Sequence, residues 1–276
     1  MSSGNLVKDI LKEITSKLAP HVERASREAQ LLLMYHLEVD ELWLITNQEA
    51  DVKESDKLLK LAERRAKSEP LEYITGRVSF YSEEFFIAEG ALIPRPETEL
   101  LIDEVLKNIA DKNANITIAE VGVGSGIISI MLAKFLPNAN IIAVDISEVA
   151  LGIAKKNIEL FGVENRVALR LGSLLEPVDE QIDYLVSNPP YIAQSAELEP
   201  NLSYEPQNAL FGGEIGDEII KKLLDEVLSR KINFFTCEMG YDQKDKISAY
   251  LKDKSFAKLE FYKDYSGFDR GFTLRL

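Results

Sequence analysis

From residue 93 onward, the chain alternates short apolar segments with segments of helical periodicity. The helical spacing covers residues 98–109, 127–135, 149–161 and 217–228, and the apolar segments are residues 116–121, 141–144, 167–171, 182–187 and 232–236. Short, continuously apolar strands that alternate with helices are typical of a parallel sheet covered on both faces. Only a glycine-containing turn separates two last strand-like segments, residues 258–262 and 272–276, as in an antiparallel pair. The pattern therefore predicts an α/β fold whose mostly parallel sheet ends in two antiparallel strands.

The first 70 residues carry only helical patterns. Apolar residues recur at helical spacing from Leu6 to Leu18, and two further apolar stripes follow before Pro70, which predicts a small helical bundle. After Gly76, aromatic and β-branched residues dominate, as in a hairpin. We therefore divide the chain into a helical domain (residues 1–72), a β-hairpin connector (73–92) and an α/β domain (93–276).

Composition excludes several classes of function. The net charge is −14, which disfavours a broad surface for neutralising phosphates and favours a protein or small-molecule partner. One cysteine, Cys237, allows neither an intrachain disulfide nor a cysteine-rich zinc site, and we expect no metal. The first ten residues lack the apolar core of a secretory signal, and Lys134, Pro137 and Asn138 interrupt the apolar stretch 127–144. We therefore expect a cytoplasmic protein that does not bind membranes.

A glycine-rich loop separates the first predicted strand of the α/β domain from the following helix. Its residues are Gly122, Val123, Gly124, Ser125 and Gly126. Glycines at this position let a ligand approach the backbone closely. Asp145 ends the next predicted strand, 19 residues after Gly126, where a carboxylate can bind ribose hydroxyls. Ile127 stands where a dinucleotide fingerprint has its third glycine, so S-adenosylmethionine is favoured over a nicotinamide cofactor.

The tetrapeptide Asn188-Pro189-Pro190-Tyr191 directly follows the predicted strand at residues 182–187. Two consecutive prolines cannot continue a central strand, and each favours an extended conformation in the residue before it. The resulting corner presents a side-chain amide, carbonyl groups and an aromatic ring. Such a corner can hold a flat NH2 group, so it predicts a substrate with a planar amine or amide nitrogen.

Together these motifs resemble class I methyltransferases and, among them, the HemK-type family, which methylates a glutamine side-chain nitrogen of peptide-chain release factors. The resemblance covers nearly the whole chain. Besides the glycine loop, Asp145 and the tetrapeptide, it rests on residues 70–76, 93–99, 204–206, 209–210, 212–213, 238–240 and 264–270. The tetrapeptide alone is shared with DNA adenine-N6 methyltransferases, and its combination with Pro94-Arg95-Pro96-Glu97-Thr98-Glu99 is much more specific.

The resemblance implies a five-helix N-terminal substrate-recognition domain, a linking hairpin and a seven-stranded Rossmann-like catalytic domain. It also implies methyl transfer from S-adenosylmethionine, with S-adenosylhomocysteine as product, to the glutamine of the GGQ motif in a release factor, which modulates translation termination. The implied cofactor-binding residues are Gly122, Val123, Gly124, Ser125, Gly126, Asp145, Ser173, Leu174 and Asn188. The implied substrate-binding residues are Asn188, Pro189, Pro190 and Tyr191, and Asn188, Pro189 and Tyr191 are the catalytic candidates.

The chain departs from the family pattern at three positions. Glu120 stands where an aspartate usually opens the glycine loop, Val123 replaces a small polar residue, and Ser173 stands near a usual acidic position. Other readings are methylation of a ribosomal-protein glutamine, adenine-N6 methylation of nucleic acid, and a partner-binding module without activity. Arg95 and Glu97 are candidates for substrate contacts, although they equally suit the start of a helix, and Glu238, after an apolar strand at the expected ligand edge, is a weaker site candidate.

Overall fold

The computed structural model describes residues 5–276, and these form two compact units. One unit holds the described residues up to Arg77 together with Glu199–Tyr204, and the other holds Val78–Leu198 and Glu205–Leu276. The expectation about a signal sequence falls partly on residues 1–4, which lie outside the described residues. The predicted domain boundaries at residues 72 and 92 stay a prediction.

The first unit is helical, as the sequence predicts. Its described residues form five helices, α1 (Val7–Leu18), α2 (Ala25–Leu37), α3 (Glu41–Thr46), α4 (Ser55–Ala66) and α5 (Leu71–Thr75), and a 3₁₀ turn at Pro200–Tyr204. The apolar stripes of α1, α2 and α4 form one core, in which Ile14, Leu32 and Leu58 are fully buried. Burial of these stripes provides the stability that such short helices lack on their own.

A two-stranded sheet follows α5 and confirms the predicted hairpin. Its strands are β1 (Arg77–Phe80) and β2 (Glu83–Phe86). The buried side chain of Asn157, from a later helix, binds both backbone groups of Phe86 at 2.8 Å. The same side-chain nitrogen donates to the carbonyl of Ser125 at 2.8 Å. Asn157 therefore links the hairpin to the glycine loop.

The second unit is built on a seven-stranded sheet. Its further strands are β3 (Thr117–Val121), β4 (Asn140–Asp145), β5 (Val167–Leu171), β6 (Tyr184–Ser187), β7 (Ile192–Ala193), β8 (Phe211–Gly213), β9 (Phe234–Glu238), β10 (Lys258–Lys263) and β11 (Asp269–Arg275). Its helices are α6 (Thr98–Asn108), α7 (Ile127–Phe135), α8 (Glu148–Phe161), α9 (Gln207–Leu210), α10 (Glu218–Arg230) and α11 (Lys244–Leu251). Within the described residues, the large sheet has the order β10-β11-β9-β6-β3-β4-β5, and β7 pairs with β8 separately.

The strand directions confirm the predicted fold class. β9, β6, β3, β4 and β5 run parallel, whereas β11 is antiparallel to both β9 and β10. Two predicted strand boundaries were wrong. β9 extends through Glu238, which was predicted to follow the strand, and β11 begins at Asp269 rather than at Phe272. Both strands extend beyond their apolar residues because Gly271 pairs with Glu238 in the antiparallel ladder.

The strand order places a topological switch point at the centre of the sheet. From β3 the chain proceeds outward through β4 and β5, and it then returns to place β6 on the other side of β3. In open α/β sheets, ligands bind beyond the carboxyl ends of the strands at such a point. Val121 is in register with Ser187, so the glycine loop and the Asn188 corner leave the sheet side by side. In the described part of the chain, no helix has the length and apolarity needed to cross a membrane.

Candidate active site

A cavity of about 300 Å³ opens at the switch point in the second unit. This volume is in the range of small-molecule sites. The predicted site residues that line it are Gly122, Val123, Gly124, Ser125, Asp145, Ser173, Leu174, Asn188 and Pro190. Gly126, Pro189 and Tyr191 are not among the described residues that form its wall. The structure therefore gathers most of the predicted cofactor and substrate residues around one cavity.

The glycine loop is fixed to the end of β4. The backbone nitrogens of Gly122 and Val123 both donate to the carbonyl of Val144, at 2.8 and 3.1 Å. Gly122 has a φ of +80°, which other residues rarely adopt. A Cβ on Gly126 would lie 3.2 Å from the Cβ of Ala154, so Gly126 allows α7 and α8 to pack closely. The loop thus presents its backbone to the cavity, and Gly126 serves packing behind it.

Asp145 lies at the carboxyl end of β4 with both oxygens engaged. Its Oδ2 accepts from the backbone nitrogen of Gly124 at 3.0 Å, and its Oδ1 accepts from that of Ser147 at 2.9 Å. A carboxylate oxygen can accept two hydrogen bonds, so each oxygen keeps capacity for a ligand hydroxyl. Asp145 therefore has a fixed orientation and can hold two neighbouring hydroxyl groups.

Glu120 is a fully buried acid that also lines the cavity. Its Oε2 accepts a hydrogen bond from the hydroxyl of Ser129, whereas its buried Oε1 has no hydrogen-bond partner among the described residues. Burial raises the pKa of Glu120 to about 8, and the charge of Asp145 adds to this shift. A buried polar atom without a partner destabilises the fold, so Oε1 marks a place where a ligand can donate.

We expect the stability of the variant Glu120→Gln to fall less than that of the wild type as the pH rises from about 4.5 to 8. In the unfolded chain Glu120 ionises near its ordinary pKa of 4.5, whereas in the fold its pKa is about 8. The wild type therefore has its full stability below about pH 4.5 and loses stability as the pH rises toward 8, by up to about 1.4 kcal/mol per pH unit. Urea unfolding of both proteins at several pH values measures the difference. A difference that stays constant between pH 5 and 8 would contradict the prediction.

The Asn-Pro-Pro-Tyr corner begins directly after β6 and lies against the glycine loop. The hydroxyl of the buried Ser187 donates to the carbonyl of Val121 at 2.7 Å, which connects the ends of β6 and β3. A Cβ on Gly122 would lie 3.7 Å from the backbone oxygen of Asn188. The backbone of Asn188 therefore borders the loop directly, and Asn188 lines the same cavity as the loop.

A chain of hydrogen bonds lies behind the corner. Asn188 Nδ2 donates to the hydroxyl of Thr98 at 3.0 Å, and this hydroxyl donates to Glu238 Oε2 at 2.8 Å. The hydroxyl of Tyr191 donates to Glu238 Oε1 at 3.1 Å. Burial raises the pKa of Glu238 to about 7, and burial also raises the pKa of Tyr191. Tyr191 packs partly into the core beside β9, so its predicted stacking on a substrate amide stays a prediction.

Glu205 is a buried carboxylate next in sequence to the cavity-lining Pro206. It accepts from the backbone nitrogen of Ile93 at 2.9 Å and forms an ion pair with Arg95. Pro94, Arg95 and Pro206 line the cavity. The segments around residues 93–95 and 205–206 are thus joined at its rim. Arg95 therefore has a partner within the chain itself, and its predicted contact with a substrate stays a prediction.

Sequence reasoning overlooked Thr98, Glu205 and the lining role of Glu120, and it rated Glu238 only as a weak candidate. Thr98 and Glu205 lie inside motifs that carry the resemblance, which was the available signal. Their partners lie 90 residues away for Thr98 and 112 for Glu205, so no local pattern pairs them. The described residues contain no cluster of three or more histidine, cysteine, aspartate or glutamate side chains that could hold a metal ion.

Two family models match the chain. The Methyltransferase small domain matches residues 96–205, and the PrmC N-terminal domain matches residues 9–76. Human METTL16, in a structure of its N-terminal domain in complex with SAH, aligns with the whole chain and 98% of its own length, with a TM-score of 0.53 and 16% identity. At this identity the likeness concerns the fold alone, and it agrees with a Rossmann-like methyltransferase fold.

Relatives found by sequence have a higher identity to this chain. The release factor glutamine methyltransferase of Clostridium acetobutylicum is 33% identical over 88% of this chain and 88% of its own length. The protein of the same name from Clostridium botulinum is 38% identical over 88% of this chain and 89% of its own length. These matches span both the helical N-terminal region and the α/β region. The chain therefore belongs to the release factor glutamine methyltransferase family.

Proposed function

We propose that this protein transfers a methyl group from S-adenosylmethionine to the side-chain amide nitrogen of the GGQ glutamine in a peptide-chain release factor. The observation that carries the proposal is that Asn188 lines the same cavity as the glycine loop and Asp145. A methyl donor bound to the loop would therefore face a substrate held at the corner. Family membership supports the same reaction and the same substrate.

The cavity fits the methyl donor at two of its polar parts, the ribose and the ammonium group. Asp145 can accept from the two ribose hydroxyls, and its carboxylate is already oriented by Gly124 and Ser147. The unpartnered Oε1 of Glu120 can accept from the ammonium group of the methionine part, which would supply the missing hydrogen bond. Ser173 and Leu174 line the part of the cavity beyond β5, where they would contact the adenine. S-adenosylmethionine, when bound, supplies an electrophilic methyl group on a positively charged sulfur.

The corner fits a glutamine amide. An amide nitrogen is a weak nucleophile because its lone pair is delocalised into the carbonyl. Asn188 Nδ2 donates to the hydroxyl of Thr98, so the Asn188 amide has its Oδ1 left to accept from a substrate. Oδ1 and the carbonyl of Pro189 can each accept one N–H of the glutamine. Both acceptors favour the positive charge that develops on nitrogen during transfer more than they favour the neutral amide.

Positioning of the two reactants is the second contribution to the rate of methyl transfer. Holding the glutamine nitrogen close to a bound methyl donor would remove much of the entropic barrier, by up to roughly 7–11 kcal/mol in well-oriented systems. No strong base is needed before transfer, because the methylated nitrogen becomes acidic once it is charged. The site accordingly relies on fixed hydrogen-bond acceptors rather than on a histidine or cysteine nucleophile.

The proposal is tested by incubating the purified protein with labelled S-adenosylmethionine and purified release factors, ribosomal protein and DNA in parallel. Mass spectrometry then locates the label. We expect one methyl group on the GGQ glutamine of a release factor and none when that glutamine is replaced by alanine. Label on a ribosomal-protein glutamine or on adenine would show that the same corner holds a different substrate.

Calorimetric titration with S-adenosylmethionine separates an enzyme from a partner-binding module without activity. We expect saturable binding with one site per chain. Binding should weaken in Asp145→Ala by about tenfold or more, because a charge-assisted hydrogen bond contributes roughly 1.5–3 kcal/mol. Absence of detectable binding to the wild type would favour the module.

A further inference from the structure

Glu238 is a fully buried carboxyl group that is outside the cavity lining. Thr98 is also buried, at 2% exposure, and stands at the start of α6 on the cavity wall. The two meet Asn188 in an unbroken chain, from Asn188 Nδ2 to the Thr98 hydroxyl and from there to Glu238. Neither Glu238 nor Thr98 is among the predicted cofactor-binding residues. The chain therefore connects the corner with the interior of the sheet.

The charge of Glu238 fixes the direction of every hydrogen bond in this chain. An ionised carboxylate can only accept, so both the Thr98 hydroxyl and the Tyr191 hydroxyl must donate to it. A hydroxyl has one proton, so Thr98 can then only accept from Asn188. The group of Asn188 that faces Thr98 must therefore be the NH2 group. The amide oxygen is held on the opposite side.

We propose that Thr98 and Glu238 are positioning residues that hold the Asn188 side-chain amide in one orientation, with its oxygen toward the glutamine to be methylated. Without this chain, the amide can rotate by half a turn and present its NH2 group to the substrate instead. An NH2 group donates and cannot accept the N–H of a glutamine amide. The inference rests on the proposed function only for the identity of the substrate, since the orientation itself is a property of the protein.

Protonation of Glu238 would weaken the control that this hydrogen-bond chain has over the orientation of the Asn188 amide. A protonated carboxyl group can donate to Thr98, and the chain can then run in the reverse direction. Burial raises the pKa of Glu238 to about 7, so both states are populated near neutral pH. The charged and titratable groups around Glu238 are Glu97, before α6, Tyr191 in the corner, Cys237 in the same strand, Tyr262 in β10 and Arg270 in β11. Arg270 favours the ionised state, but its guanidinium is bound to Asp264 at 2.8 Å.

The first test follows the Asn188 amide directly and needs no substrate. Asparagine is labelled with ¹⁵N, and the side-chain NH2 signal of Asn188 is identified by its loss in Asn188→Asp. We expect this signal to shift with pH with a midpoint near 7. In Glu238→Gln the signal should be displaced and independent of pH. Glu120→Gln should keep the shift, which separates Glu238 from the other buried acid of the site.

The second test measures kcat and the dissociation constant of S-adenosylmethionine. We expect Glu238→Gln and Thr98→Val to lower kcat roughly 10–100-fold, the usual effect of removing a supporting partner behind a site. The dissociation constant should change less than about threefold, because the polar contacts proposed for the cofactor come from Asp145 and Glu120, which both variants keep. Thr98→Ser keeps the hydroxyl and should restore the wild-type kcat. The wild-type kcat should rise through about pH 7, and Glu238→Gln should lack this step.

The variant Glu226→Gln is the matched control, since the half-buried Glu226 pairs with Arg230 on α10 and lies outside the cavity lining. It should leave the Asn188 signal and kcat unchanged. A Glu238→Gln protein with an unaltered Asn188 signal would overturn the proposal. If Glu238→Gln does not fold, Thr98→Val and Thr98→Ser decide by the same two measurements. If the wild type methylates no release factor, the proposed function fails, and the NMR result still decides the orientation of Asn188.

Discussion

Replacing Asn188 by alanine is expected to lower the rate of methyl transfer on the order of 10²–10³-fold, the cost of removing one preorganised polar group that stabilises a transition state. The change removes the amide oxygen that accepts the glutamine N–H, and it leaves Thr98 without its donor. The glycine loop and Asp145 are untouched, so binding of S-adenosylmethionine should be retained within a few-fold. Single-turnover kinetics and calorimetric titration measure the two quantities separately.

Two further variants make the result interpretable. Asn188→Asp keeps an acceptor but places a carboxylate oxygen against the Thr98 hydroxyl, so its rate should lie between those of the wild type and the alanine variant. Asn138→Ala removes an asparagine whose side chain binds the carbonyl of Asn113 on the surface, and it should leave the rate unchanged. A wild-type rate for purified Asn188→Ala would refute the role of Asn188.

Replacing Gly212 by alanine is expected to abolish most activity by displacing the corner. A Cβ on Gly212 would lie 2.4 Å from the carbonyl oxygen of Pro190 and 2.5 Å from that of Gly216. Both are backbone atoms, so the strain cannot be relieved by a side-chain rotation. A displacement near 1 Å at a reacting group can cost about 100-fold in rate, and overpacking typically costs about 1–3 kcal/mol of stability. The rate and the urea unfolding curve of the variant measure both effects.

Gly152→Ala is the matched control for this variant. Gly152 lies in α8, and a Cβ there would meet no atom within 4 Å. Alanine in a helix interior is favoured over glycine by about 1 kcal/mol, so this variant should be equally or more stable and fully active. Equal activity of Gly212→Ala and Gly152→Ala would show that the contact of Gly212 with Pro190 does not position the corner.

Gln243 holds the opposite side of the same corner, and the sequence contained no clear signal for it. Its Nε2 donates to the carbonyl of Tyr191 at 3.0 Å, and its Oε1 accepts from the backbone nitrogen of Gly240 at 3.0 Å. Gln243 stands at the N-terminus of α11, a helix that the sequence pattern did not predict. The prolines make the corner stiff, but side chains from distant elements determine where it points.

The predicted strands agree closely with the observed ones where burial on both faces makes a segment continuously apolar. β5 and α7 have the predicted bounds, and β3, β4 and β6 differ by one or two residues at their ends. The larger differences concern β9 and β11. Their antiparallel ladder extends through Glu238 and Gly271. Neither residue continues an apolar pattern, so the sequence gives no sign that hydrogen bonds between the strands include them.

The amino-acid sequence by itself determined the fold class, the glycine loop, Asp145 and the stiff corner at Asn188. These follow from local properties, namely the period of apolar residues and the conformational limits of glycine and proline, which act within a few residues. Only the tertiary structure decided which atoms surround them. Thr98 and Glu238 are 140 residues apart, and they meet because the strand order places β9 beside β6 and α6 against β9. The orientation of the Asn188 amide and the buried state of Glu120 arise in the same way, since burial and hydrogen-bond partners are properties of the assembled sheet.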